Sequence, residues 1–335
     1  RTTVQSIIDA IAVGKIPSNG IIWLADREEL CEQAVETFKQ VAEKRCPIPL
    51  YIWRYWRGNL IDVMDTEGGP QVPGIVVTSV QQFRQRIESG EEAALSLIES
   101  ANVFVVDEAH RNLDWLEALH MQLHMNKSAA SLIGLTATPF RRIDSESTRL
   151  SNIFSWSALS PIEGGAEDPD QIVSGLMERG ILAKRMDLDP GELGVRIRVG
   201  DDHQHLTECI DIVRKLIVRG CKSILVFTPS VEIAQWGASI LSLSGDDVTA
   251  EYLCSSTPVM SRREIVGSFR EGGVQVLLNC EILTTGFDAP KTDAVVISRP
   301  SMSTDDPLFL QMAGRGLRGP KFGGTDSCVI VHHKW

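Results

Sequence analysis

Short apolar runs recur along this chain, and between them lie stretches whose apolar positions fall three and four apart. Residues 2–13 place Val4, Ile7, Ile8, Ile11 and Ala12 on one face and predict a helix. Residues 20–25 (Gly-Ile-Ile-Trp-Leu-Ala) predict a buried strand. Residues 27–43 predict a helix capped by Asp26, with Leu30, Ala34, Phe38 and Val41 inward. Residues 47–60 read as a strand region. Its aromatic and arginine residues at 51–57 suit an edge strand with snorkelling arginines. Residues 65–74, with Gly68, Gly69, Pro70 and Pro73, predict a loop. A strand at 74–78, a helix over 80–99 interrupted near Ser89 and Gly90, a strand at 103–106, a helix at 113–123 and a strand at 131–136 follow. Between 140 and 204 Pro161, Gly164, Gly165, Pro169 and Pro190 loosen the pattern, leaving a helical 171–179 and an extended 181–186. A second series then begins: helix 206–219, strand 223–227, helix 231–243, strand 248–253, helix 261–270, strand 274–279, strand 293–298, helix 307–313 and strand 327–332.

Short apolar strands alternating with helices predict α/β architecture with mostly parallel sheets flanked by helices. The boundaries expected are a first domain over 1–160, a junction over 161–203 and a second domain over 204–335. Two sheets facing each other would leave a cleft, and clefts between domains are where ligands bind.

Composition adds limits. At 335 residues the chain is long enough for two cores. No apolar run approaches the length of a membrane span, and residues 1–13 are amphipathic, unlike a signal peptide. The seven scattered cysteines contain no C-x-x-C pair, which points to a reducing, cytoplasmic setting. His203 and His205 have no Cys or His at metal spacing and read as surface residues. A net charge of −11 argues against a protein that coats DNA, but not against one gripping a backbone through a local basic groove.

The chemistry centres on Val103-Phe104-Val105-Val106-Asp107-Glu108-Ala109-His110. A buried strand ending in two carboxylates presents them where parallel sheets bind ligands. Asp107 suits the coordination of Mg2+, partly through water. Glu108 is placed to orient and deprotonate a water attacking a γ-phosphate. Thr136 and Thr138 end the next strand, residues 284–290 (Thr-Thr-Gly-Phe-Asp-Ala-Pro) follow the strand that ends at Asn279, and residues 311–318 (Gln-Met-Ala-Gly-Arg-Gly-Leu-Arg) close a short helix.

In this order these stretches resemble the motifs of the superfamily 2 DEAD/DEAH-box helicases and translocases, over nearly the whole chain. The closest likeness is to type I and type III restriction-enzyme motor subunits and to related phage-defence and repair helicases. The resemblance implies two tandem RecA-like domains with an ATP cleft between them. It implies Asp107, Glu108, Arg315 and Arg318 as catalytic residues, and His110, Gly286, Asp288 and Gln311 as nucleotide-binding. Thr136 and Thr138 would couple the phosphate site to domain movement. Arg27, Thr78, Thr228, Thr284 and Arg262 would contact the nucleic-acid backbone. The implied cofactors are ATP and Mg2+. The implied partners are nucleic acid, with duplex DNA favoured, and a larger complex or further domains carrying a nuclease or other effector, without a membrane. Arginine forks onto phosphate, so Arg315 and Arg318 would reach a γ-phosphate from the second domain when the cleft closes.

One motif is absent. The loop G-x-x-x-x-G-K-[ST] occurs nowhere in the chain, and Gly14-Lys15-Ile16 lacks its hydroxyl and first glycine. The helix at 2–13 sits just where the family's loop opens into its helix, so the loop is expected immediately before residue 1. The chain alone is then expected to bind ATP poorly. Three functions follow: an ATP-dependent motor, an inactive helicase-like scaffold, and a nucleotide-driven switch that recruits a nuclease without translocating.

Overall fold

The computed structural model describes residues 2–59, 64–66, 69–71, 74–125, 130–136, 144–155, 157, 169–198, 200–243, 248–280, 283, 289–304 and 306–335. The chain divides into two units, at residue 158.

In the first unit the continuous apolar runs form strands buried on both faces. The elements are α1 (Thr2–Ala12), β1 (Ile21–Ala25), α2 (Glu28–Arg45), β2 (Ile52–Arg54), β3 (Met64–Thr66), β4 (Gly69–Gln71), β5 (Ile75–Ser79), α3 (Val80–Glu88), α4 (Glu92–Ser100), β6 (Val103–Val106), α5 (Leu113–Met125), β7 (Ser131–Gly134) and α6 (Asp144–Ile153). Strands pair in parallel in the order β2-β5-β1-β6-β7. Side chains alternate across the sheet. Ile21, Trp23, Val103 and Val105 pack with Ile8 of α1 and Phe38 of α2. Ile22, Leu24, Phe104 and Val106 pack with Phe83, Leu97 and Leu116 on the other face. Each run needs both helical layers to cover it, which is why it has no polar face. Phe104 is fully buried. Phe104→Ala is expected to destabilise this unit by roughly 3–5 kcal/mol, read as a lower urea midpoint.

Two local readings change. The helix predicted from Arg27 starts at Glu28, and Asp26 does not cap it; Arg27 occupies the cap position without a side-chain hydrogen bond. Residues 65–74 were expected to be loop, but Met64–Thr66 and Gly69–Gln71 form the antiparallel pair β3–β4. The break expected near Ser89 and Gly90 is present: Gly90, at φ 75, separates α3 from α4. Within 51–57, Ile52–Arg54 form the expected edge strand, with Arg54 donating to Glu32 at 2.7 Å and 3.1 Å.

The second unit holds α7 (Pro169–Glu178), β8 (Lys184–Leu188), α8 (Asp202–Val218), β9 (Ile224–Phe227), α9 (Val231–Leu243), β10 (Ala250–Leu253), α10 (Val259–Glu271), β11 (Val276–Asn279), β12 (Ala294–Ser298), α11 (Pro307–Ala313) and β13 (Ser327–His333). Its sheet is parallel in the order β10-β11-β9-β12-β13-β8. Residues 161–203 were expected to be a junction. Instead β8 is an edge strand of this sheet, paired with β13 along its length, so the second unit begins well before residue 204. Its inner faces again alternate: Ile224 and Val226 face α8 and α9, while Leu225 and Phe227 face Phe269, Phe309 and Met312. Among the described residues, no helix is long and apolar enough to cross a membrane.

Candidate nucleotide and nucleic-acid site

The carboxyl ends of β1 and β6 lie side by side, since Leu24 pairs with Val106. The chain leaves both strands through an aspartate, Asp26 and Asp107. Asp107 is held by its own backbone: its N–H donates to the Leu24 carbonyl at 2.8 Å, and its Oδ1 accepts from the Glu108 N–H at 3.0 Å. Burial pushes the Asp107 carboxyl above its ordinary range; the Glu108 N–H opposes the shift and the neighbouring Asp26 charge adds to it. Asp26 in turn accepts from Arg111 at 3.0 Å.

Glu108 sits at φ 50 and ψ 45, a left-handed conformation that costs a non-glycine residue roughly 1–2 kcal/mol. The turn it makes is stitched to the neighbouring strand: the Ala109 N–H donates to the Leu135 carbonyl at 3.0 Å, and the Leu135 N–H to Val106 at 2.9 Å. His110 is buried, with Nδ1 2.8 Å from Thr136 Oγ1 and 3.5 Å from Glu108 Oε2. One imidazole thus links the acidic turn to the threonine after β7. Strain held at a turn that also carries a half-buried carboxylate is a common property of reactive sites.

The other expected residues divide. Arg27 is exposed at the carboxyl end of β1, its Nε 3.7 Å from Asp26. Thr78 and Thr228, expected on a nucleic-acid backbone, are fully buried. Thr78 Oγ1 donates to the Tyr55 carbonyl at 2.5 Å, and Thr228 Oγ1 to Ser230 at 2.9 Å. Their hydroxyls tie loops to strand ends and are not presented to a ligand, a correction to that reading. Arg262 is half-buried and donates to the Thr257 carbonyl at 3.2 Å, which fastens the start of α10. Thr138, Thr284, Gly286 and Asp288 lie outside the described residues.

Gln311 lies on α11, and Arg315 follows in the turn after it; both are half-buried, whereas Arg318 is exposed. The backbone beneath Arg318 is fixed: it bridges to Leu182, and its carbonyl accepts from Thr325 at 3.0 Å. Gly316 is required by packing, because a Cβ there would collide with Cys328 Sγ and Val295 Cγ2.

Two features escaped the sequence reading. Asp26 was read as a helix cap, although a residue directly after a central strand was the available signal. His205 was read as a surface residue but is 2% exposed, against Glu208 and His333.

Residues 3–141 match the family described as type III restriction enzyme, res subunit, and residues 208–319 the helicase conserved C-terminal domain. The putative ATP-dependent helicase IRC3 of Saccharomyces cerevisiae is 24% identical over 316 residues, covering 92% of this chain and 42% of that protein. The chain spans less than half the length of the first curated relatives it matches. Among solved structures, the DUF1998 helicase MrfA bound to DNA aligns over 96% of this chain and 41% of its own, with a TM-score of 0.65 and 16% identity. S. cerevisiae Dbp5 bound to RNA and ADP BeF3 aligns over 98% and 75%, with a TM-score of 0.59 and 15% identity. At such identities these structures speak for the fold.

Proposed function

The chain belongs to the superfamily 2 helicases, as a core of two RecA-like domains related to type III restriction motors, and from that premise we propose that it is an ATP-driven motor translocating on duplex DNA. The observation that carries this reading is the acidic turn, with Asp107 half-buried near Asp26 and Glu108 held in a left-handed conformation.

Asp107 fits a divalent cation. Two neighbouring carboxylates, one of them raised by burial, repel each other, and Mg2+ is a hard ion that prefers carboxylate and water oxygens. When bound with ATP, the ion would neutralise charge on the phosphate oxygens. Asp107 would hold it, partly through water. Glu108 would orient the attacking water and accept its proton. The His110–Thr136 contact would carry the state of that turn to the segment after β7. Arg315 and Arg318 would stabilise charge on the transferred phosphoryl group, with Gln311, Gly286 and Asp288 near the nucleotide. Arg27, Thr284 and Arg262 are the remaining candidates for the nucleic-acid backbone. Such phosphate contacts predict little sequence preference and binding that weakens steeply with salt.

The relation to restriction motors supports a place in a restriction or anti-phage complex with a nuclease partner. A second reading, a scaffold that does not hydrolyse ATP, would apply if the natural protein carrying this chain has no G-x-x-x-x-G-K-[ST] loop. Stepping and switching separate in one assay. ATP consumed by the natural protein carrying this chain should rise with the length of linear duplex DNA and then level off. Consumption independent of DNA length would favour the switch, and a length dependence on RNA alone would move the substrate to RNA.

A further inference from the structure

Where α8 begins and β13 ends, three side chains from distant parts of the sequence converge. His205 and Glu208 stand three residues apart on one helical face, and His333 is the last residue of β13. All three are buried, and one donor atom from each lies within 4.8 Å of the others. His333 Nε2 is 3.2 Å from Glu208 Oε2, and His205 Nδ1 is 3.5 Å from the same oxygen.

The protonation states decide what these atoms offer. His205 Nε2 lies 3.1 Å from the Gly200 carbonyl, which only accepts, so that nitrogen carries the hydrogen. His205 Nδ1 faces the Glu208 carboxylate oxygen without making a hydrogen bond of good geometry to it. A buried ring nitrogen and a buried carboxylate oxygen facing each other without a hydrogen bond leave a place for a positive centre between them. Neutral imidazoles and an ionised carboxylate are the forms that ligate metals.

We propose that His205 Nδ1, Glu208 Oε2 and His333 Nε2 form a divalent transition-metal site, with zinc the ion that suits two imidazoles and a carboxylate. Bonds of about 2.0–2.1 Å around a tetrahedral ion set the ligand atoms about 3.3–3.4 Å apart, so the two edges to Glu208, at 3.2 Å and 3.5 Å, fit, and the edge between the two imidazoles, within 4.8 Å, is the one a bound ion would set. Each ligand is also held through its other polar atom, as metal ligands usually are. His205 Nε2 is held by Gly200. Glu208 Oε1 accepts from the Arg198 N–H at 3.0 Å and from Gln204 Nε2 at 2.9 Å. His333 Nδ1 lies 2.9 Å from Ser298 Oγ, on the strand residue paired with it. That hydroxyl rotates to donate or accept, so His333 can exchange its Nε2 hydrogen for a metal without losing the contact. The Trp335 ring stacks on His205 at 4.2 Å and covers one side. Three protein donors leave the fourth tetrahedral position to water. The ion would staple the first turn of α8 to the last residue of β13.

The test is metal binding by the natural protein after chelator treatment, using Zn2+ against a chromophoric chelator and Co2+ by absorption. Glu208→Gln and His333→Gln are the variants, and exposed His203→Ala is the control on the same helix. One zinc per chain is expected in the wild type and in His203→Ala. Either ligand variant should weaken it by roughly 100-fold or more. The cobalt form should show tetrahedral visible bands without the near-ultraviolet bands of a thiolate ligand. Failure of the wild type to bind an equivalent of either ion would overturn the site, as would binding that the ligand variants leave unchanged or a cobalt spectrum dominated by thiolate. The wild-type measurement decides the matter even where a variant does not fold.

Discussion

Glutamine in place of Glu108 is expected to lower ATP turnover by roughly 10²- to 10⁴-fold while leaving the fold and nucleotide affinity nearly unchanged. The substitution keeps the side chain's size and its left-handed backbone, so the turn between β6 and α5 should persist. The main loss is a base able to take a proton from water. The effect should therefore fall on kcat, with KM little moved. Thermal denaturation within a degree or two of the wild type would show that the backbone strain at φ 50 is supported by the stitching to Leu135 and not by the carboxylate. A Glu108→Gln protein that still turns over ATP at the wild-type rate would remove Glu108 from the chemistry.

Alanine at Arg318 is expected to reduce turnover by on the order of 10³-fold. Its side chain is exposed, while the backbone under it is bridged to Leu182, an arrangement that fixes the base of the arginine at the surface. Stability should barely change, because little packing is lost. Arg315 is half-buried, so Arg315→Ala should lower both turnover and stability. Lysine at Arg318 should recover little, since a point charge does not fork onto phosphate oxygens. Single-turnover hydrolysis alongside nucleotide binding would separate these effects. If Arg318→Ala weakened ATP binding as much as turnover, the arginine would be a ground-state contact and not a transition-state one.

The fold was legible wherever a run of apolar residues had to be covered on two faces. The strands at β1, β5, β6, β9 and β12 carry no polar side to misplace, and their helices follow from the spacing of residues such as Ile8, Phe38 and Phe83. Legibility failed where pairing depends on partners distant in the chain. Residues 184–188 are half exposed and read as a junction, because only pairing with β13 makes them a strand of the second sheet. Asp26 fits a helix cap by its local context, and only the register of β1 against β6 puts it beside Asp107. Thr78 and Thr228 look alike whether a hydroxyl faces a phosphate or turns back to a carbonyl. His205, Glu208 and His333 carry no spacing signal, since the parallel sheet alone brings the end of β13 to the start of α8.

The measurement that tests the motor most directly is steady-state ATP hydrolysis by the natural protein carrying this chain, with and without duplex DNA and with Glu108→Gln in parallel. The account predicts hydrolysis that duplex DNA stimulates and that the variant abolishes at every DNA concentration. Absence of DNA-stimulated hydrolysis, in a protein shown to bind ATP, would contradict it and leave a scaffold with the shape of a motor.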